Sequence, residues 1–243
     1  MAESASRRQS YAKRILHVGI AALIVYLIVA YVLMPRLWQR FLRKHPNFDD
    51  TPGITHTGAG IPGDPINVVL IGSKDDMLRI MKAAQWTEAA GLGVRADLKI
   101  AVDSVLNRPD PNAPVSSLYL FGRKEDLAFE QEVGDNPRHR HHVRFWLAPN
   151  VDPSGRPIWV GSAVYDEHVG ISRTTGQITH VTAPNVDAER DYLFQCLAKT
   201  NDLAEQYAVD DFHKIREGKN GGGDPWRTDG RLFVGVIKAD QRP

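Results

Sequence analysis

Cysteine is almost missing from this chain of 243 residues: Cys196 stands alone. No intrachain disulfide can therefore staple the fold, and no cysteine cluster can hold zinc. Several enzyme signatures are missing as well. There is no HExxH helix, no GxSxG elbow, no Walker-type Gly-Lys-Ser and no GxGxxG, so zincin, serine-hydrolase and nucleotide-loop chemistries lack support. No internal repeat occurs, which sets aside solenoids and propellers. An excess of one charge is also lacking, with 30 bases against 29 acids. Removing the four bases and one acid of residues 1–35 leaves 26 and 28, net −2. That balance argues against a nucleic-acid partner.

What the chain does have is one long apolar run. Ile15 to Met34 is twenty residues without a formal charge. At about 1.5 Å of rise per residue, a helix of this length covers the roughly 30 Å hydrocarbon layer of a bilayer. Tyr26 and Tyr31 can anchor at an interface, and Pro35 ends the run. A cleaved signal peptide is the rival reading. It would have a shorter apolar core and a small-x-small site, and Tyr31, Met34, Pro35 and Arg36 stand where that site would lie. An uncleaved, single-pass anchor is expected. Four bases precede the span and Arg36, Arg40, Arg43 and Lys44 follow it, so the positive-inside rule gives no direction. The common topology of short amino-terminal anchors places the folded domain outside the cytoplasm.

The remaining organisation follows from periodicity and punctuation. Residues 1–14 form a basic tail, 15–35 the transmembrane anchor, 36–65 a juxtamembrane segment and linker, and 66–243 the folded domain. In RLWQRFLRK, Leu37, Trp38, Phe41 and Leu42 alternate with bases, as in a helix lying at lipid headgroups or one simply extending the anchor. Repeated Pro and Gly over 45–65 suggest a linker or a wrapping arm. INVVLIG reads as a strand, followed by a helix capped by Ser73 with Met77, Ile80, Met81 and Ala84 inward. Leu92–Leu106 has a second helical pattern and Asp187–Lys199 a third. Between and after them run short strand-like segments: SSLYLFG, DLAFEQEV, HHVRFWLA, PIWVGSAVYD, HVGISR, QITHV, AEQYAVDDF and RLFVGVIKA. The expected fold is α+β, a mainly antiparallel sheet with about three packed helices. Cys196 falls in the third helix, where a buried, inert thiol is the expected role.

The least ordinary stretch is Arg138 to Trp146, RHRHHVRFW. Side chains alternate across a strand. Arg140, His142, Arg144 and Trp146 therefore share one face, and His139, His141, Val143, Phe145 and Leu147 the other. With Asp166, His168, Arg173, His180, Asp187 and His213 these make up the polar candidates. The set suits two chemistries. Paired arginines around a histidine can clamp an oxyanion. Alternatively, His142, His168, His180 and Asp187 can ligate a divalent metal that activates water. The plainer reading is an ion-pair network, since half-buried arginine needs acidic partners. Gly221 to Gly223 can let backbone approach a ligand or simply form a turn.

The tracts VSSLYLFGRKEDLAFEQEVG, RHHVRFW, VGISRTTGQITH, APNVDAERDYL and NGGGDPWRTDGRL together resemble the LssY carboxy-terminal domain family. The likeness runs over most of residues 62–237. The family also occurs fused behind DedA-like and phosphatidic-acid-phosphatase-like membrane regions. The match to its pattern falls on His141, His142, Arg144, Trp146, Gly176, His180, Asp187, Glu189 and Arg190. The resemblance implies a bacterial envelope protein with an accessory domain beside the inner membrane. It carries over no phosphatase activity. The expected binding residues are Arg140, His142, Arg144, His180, Asp187 and Arg190. Their expected partner, besides the lipid bilayer, is an anionic lipid, glycan or envelope protein. No cofactor is assured, and a divalent metal belongs to the alternative, a hydrolase of envelope phosphoesters or lipids.

Overall fold

The computed structural model describes residues 2–37, 46–89, 117–133, 139–174, 176 and 178–239. The chain divides into two compact units, 1–46 and 47–243. In the first, helix α1 (Ala2–Ile28) continues through one π turn, Val29–Leu33. Pro35 has no N–H to return to the carbonyl four residues earlier, and the Met34 N–H reaches back five residues to Val29 instead. Lys13–Leu37 is a 25-residue helical segment, long and apolar enough to cross a membrane, and protein covers none of it. The juxtamembrane pattern at Trp38, Phe41 and Leu42 lies outside the described residues, as does the helical pattern of Leu92–Leu106.

The second unit is α+β, and its sheets are mostly antiparallel. Strands β1 (Ile54–Thr57) and β2 (Pro62–Pro65) form a hairpin. This hairpin occupies the Pro/Gly-rich segment expected to link or wrap, where a four-residue strand is too short for alternation to be legible. β3 (Val68–Ile71) leads to α2 (Lys74–Ala83). The Ser73 hydroxyl accepts from the Asp76 N–H while the Asp76 carboxylate accepts from the Ser73 N–H, a reciprocal cap as expected for Ser73. Then come β4 (Thr87–Glu88), β5 (Leu118–Leu120), β6 (Arg123–Lys124), β7 (Leu127–Glu132), β8 (Arg140–Val151) and β9 (Pro157–Ile171). β10 (Ile178–Thr182), α3 (Val186–Lys199), β11 (Leu203–Val209), β12 (Glu217–Lys219), β13 (Pro225–Arg227) and β14 (Leu232–Ile237) complete the chain.

One sheet has the order β11-β14-β3-β9-β8-β7-β4, with β10 added along the far half of β9. Only the β14–β3 pair is parallel among the described pairings. A smaller sheet, β2-β1-β5-β6, lies apart in pairing, and β12 and β13 form a hairpin whose turn is the glycine run. The main sheet is apolar on both faces, since α2 and α3 cover one and the smaller sheet helps cover the other. Along β8, Val143 and Phe145 join Met77, Met81, Leu193 and Phe194 on the helical side. Trp146 and Ala148 join Val69, Val160, Leu118 and Val234 on the opposite side. Alternation thus places Val143 and Phe145 in the core, as expected. Trp146, on the face read as functional, is buried too.

PIWVGSAVYD and HVGISR, expected as two strands, form the single fifteen-residue β9. A bulge keeps it continuous. Thr182 pairs with Asp166 but Val181 pairs with His168, leaving Glu167 unopposed.

Candidate functional site

Where the polar end of β8 meets the smaller sheet, the β10 edge and the glycine turn, a cavity of about 380 Å³ opens. His142 and Arg144 supply its floor from β8, Asp166 from β9, and His180 and Thr182 from β10. Asp64, Tyr119, Lys124 and Asn220 line the remaining walls. The strands bring these residues together because Arg140 pairs with Asp166, and Thr182 pairs with the same Asp166 from the other side.

Asp166, wholly buried, is the hub. Its Oδ2 accepts from Arg140 Nε at 3.0 Å, and lies 3.2 Å from His142 Nδ1 and 3.5 Å from His180 Nδ1. Burial alone would raise its carboxyl. The histidines, His142 first, and the Arg140 hydrogen bond outweigh burial and hold it well below the usual carboxylate range. Arg140 also donates to Glu130 at 3.0 Å, and its second terminal nitrogen meets His180 Nε2 at 3.2 Å. A guanidinium can only donate. His180 Nε2 is consequently the acceptor, which in a neutral ring leaves the proton on Nδ1, the nitrogen 3.5 Å from Asp166.

Two floor residues stand out for what they do not contact. Arg144 is 4% exposed, yet its closest acids are Asp64 at 3.5 Å and Glu125 at 3.8 Å, and it donates no hydrogen bond to any described residue. His142 is 7% exposed and both ring nitrogens are buried without a hydrogen bond, Nδ1 having only the Asp166 contact. A buried donor left open costs about 1–3 kcal/mol, more when charged. Both residues line the cavity floor.

The walls are held more completely. Asn220 donates to Thr182 Oγ1 at 3.0 Å and to Asp64 Oδ1 at 3.3 Å, while its own carbonyl accepts the Gly222 and Asp224 N–H groups at 3.0 Å. The glycine run is a turn whose Gly222 and Asp224 amides are already engaged. Gly221 is required by proximity: a Cβ there would lie 2.6 Å from Thr57 Cγ2.

Other expected site residues lie elsewhere. His168 is exposed, because the bulge at Glu167 turns it to the face opposite His180. Asp187 and Arg190 do not line the cavity. Arg190, fully buried on α3, donates to Asp187 at 3.0 Å, to Asp191 at 2.9 Å and twice to Asp229 at 2.8 and 3.1 Å, and stacks 4.0 Å over Phe233. Asp187 also accepts from the Thr228 hydroxyl at 2.7 Å and the Asp229 N–H at 2.6 Å. This network ties α3 to the loop before β14. His141 faces the helices, hydrogen-bonded to buried Glu189 at 2.7 Å and stacked on Tyr192 at 3.9 Å between ring centres. Burial raises the Glu189 carboxyl, with His141 opposing it. His213 does not line the cavity; its Nε2–H donates to the Ile66 carbonyl at 2.6 Å. Arg173 is exposed beside the glycine turn.

Of the four residues expected as a metal set, only His142 and His180 converge. Among the described residues no three His, Cys, Asp or Glu side chains are grouped to hold a metal ion. The Arg140 guanidinium stands against the Asp166 and His180 atoms that a cation would need. Asp64, Glu125 and Asn220 were absent from the sequence-level candidates. Asp64 and Asn220 lie in GDP and NGGGDP, which carry a turn signal and no catalytic one, and Glu125 lies in the charged turn GRKED.

The geometry defines an α+β domain with a buried arginine–histidine–aspartate cavity, in a chain that also carries an apolar helix of membrane-crossing length. A family model described as LssY C-terminus matches residues 48–232, and the chain belongs to that family. No curated protein and no solved structure matches it.

Proposed function

We propose that the protein is a single-pass, membrane-anchored accessory domain of the bacterial envelope that binds a ligand through an oxyanion in this cavity. The observation that carries the reading is Arg144, a buried guanidinium with five donors and no hydrogen bond among the described residues. His142 stands two residues away on the same strand face, and Arg140 and His180 fix the carboxylate behind it. Asp187 and Arg190 act in this reading by holding the frame. The helix from Ile15 to Met34 serves as the anchor in this reading, with the domain outside the cytoplasm.

Binding of inorganic phosphate and of sulfate to the full chain in detergent tests the reading. At low salt and pH 6, saturable binding is expected, and Arg144→Ala should weaken it at least tenfold, or about 1.4 kcal/mol. The effect should shrink as salt rises. Equal binding by wild type and Arg144→Ala would refute the assignment. About one metal per purified chain, lost in His180→Ala, would replace it with metal-assisted chemistry.

A further inference from the structure

Beside its open donors, the cavity holds carboxylate oxygens that no described residue satisfies. Asp166 lines it, wholly buried, and the Arg140 hydrogen bond goes to Oδ2, while Oδ1 accepts no hydrogen bond. Asp64, also buried, gives Oδ1 to Asn220 at 3.3 Å; its Oδ2 lies 3.5 Å from Arg144 with no hydrogen bond between them. A buried acceptor without a donor costs free energy as an open donor does, and a charged one costs more. Charge points the same way. Lys124 and Arg144 line the cavity with Asp64 and Asp166, and Arg140, Glu130 and Glu125 stand immediately behind, so three bases meet four acids, histidines aside. A bare oxyanion engages Arg144, but it meets the carboxylates as like charges and leaves their oxygens open.

Building on the oxyanion reading above, we infer that the ligand is a polyhydroxylated acid, an anionic sugar or polyol, whose oxyanion meets Arg144 while its hydroxyls donate to Asp64 Oδ2 and Asp166 Oδ1. A hydroxyl both donates and accepts, and this cavity has open groups of both kinds. The donors extend beyond Arg144. Thr57 and Thr182 line the cavity, and their hydroxyl oxygens already accept from the Ile61 N–H and from Asn220, which leaves their own protons to give. Such donors need more acceptors than one oxyanion carries. An ammonium on the ligand would reach the carboxylates too, but it accepts nothing and would leave the threonine hydroxyls unmatched. The volume of about 380 Å³ is at the small end of the usual range for ligand pockets, about 300–1,000 Å³. It suits one ring-sized unit rather than a length of polymer.

Calorimetric titration of the full chain, in a detergent without a sugar headgroup, compares probes matched in size and charge. The hydroxylated acids are glucuronate, galacturonate and glucose 6-phosphate. Their hydroxyl-free counterparts are cyclohexanecarboxylate and cyclohexyl phosphate, with glucose and glutamate as controls for hydroxyls without charge and for an ammonium. At least one hydroxylated acid should bind about ten- to a hundredfold more tightly than its counterpart, the effect of one hydrogen bond to a charged group. Asp64→Asn keeps an oxygen for Asn220 but replaces Oδ2 with an amide N–H. It should weaken the hydroxylated acid about tenfold and leave the hydroxyl-free acid as tight or tighter, a divergence that loss of folding cannot produce. Hydroxyl-free acids that bind as tightly as hydroxylated ones through Arg144 overturn the inference and leave the oxyanion reading intact. Glutamate binding more tightly than every hydroxylated acid does the same, as does failure of all these probes while sulfate still binds through Arg144. Equal losses for both classes in Asp64→Asn overturn the placement of the hydroxyl at Asp64. Glucose binding as tightly as the acids, or absence of any anion binding, removes both readings.

Discussion

Removing the guanidinium of Arg190 is the sharpest test of how the fold holds α3 in place. The side chain is wholly buried, and its acceptors are Asp187, Asp191, both oxygens of Asp229 and the Arg231 carbonyl. Arg190→Met keeps apolar volume over Phe233 but strands the acids. Breaking a buried ion pair from one side costs about 3–5 kcal/mol. The lower end applies here, because the Asp191 and Asp229 side chains are 45% and 33% exposed and can regain water, whereas Asp187 is 16% exposed. A loss of about 3 kcal/mol corresponds to a Tm drop of about 6–12 °C in a domain of this size. Denaturant and thermal unfolding of the full chain in detergent measure it. The acid Asp229, held below the ordinary carboxylate range chiefly by Arg190 and Arg231 against the effect of burial, provides an internal check. Asp229→Asn in the Arg190→Met background should recover part of the loss. A single-variant loss under about 1 kcal/mol, or strict additivity of the two changes, would refute the reasoning.

Two further expectations follow from burial and packing. Burial lowers the His213 pKa, so the unfolded chain binds its proton first: this contribution is complete above about pH 6.5 and is lost as pH falls towards the lower folded value. Asp166, also lowered, adds a loss only below about pH 3.9. Tm should therefore decline between pH 7 and 5, less steeply in His213→Gln, and an unchanged slope in that variant would count against His213. At Gly161, a Cβ would lie 2.6 Å from the Phe145 ring and 2.7 Å from Val68 Cγ2. Gly161→Ala should cost about 1–3 kcal/mol in the same unfolding assay, and a neutral effect would show that the β3–β9–β8 packing yields more easily than the structure implies.

Much of the main sheet was legible from local pattern. Period-two alternation around His142 gave the correct division between Val143 and Phe145 on one side and Arg140, His142 and Arg144 on the other. The Ser73 cap announced α2 through the spacing of its own side chains. His168 was a candidate by residue type alone, and its tract was read as a separate strand, so the irregularity at Glu167 that turns it away from His180 left no local signal. Apart from the glycine run, the cavity walls were not legible. Asp64 and Asn220 meet across 156 positions of chain, and nothing at either site signals the other. Asp187 and Arg190 appear in the family pattern beside the cavity residues, yet a pattern of kept residues does not separate those that frame a site from those that line it.

The hairpin joining β8 to β9 bears on what changes this chain can tolerate. Exposed turns are ordinarily where insertions do least harm. The turn here is tightly specified: the Asp152 carboxylate accepts the Ser154 and Arg156 N–H groups at 2.9 and 2.7 Å and pairs with the Arg156 guanidinium at 2.8 Å. His141 and His142 are adjacent but serve opposite faces, each with its own buried acid. A single inserted residue that slipped β8 by one position would exchange the two faces wholesale. Phe145 would be turned towards the cavity and Arg144 into the helical core. Length variation at this tip should thus come in compensated pairs or be absorbed at the irregular step between Leu147 and Val151, and a lone insertion should be as damaging as a substitution in the cavity itself.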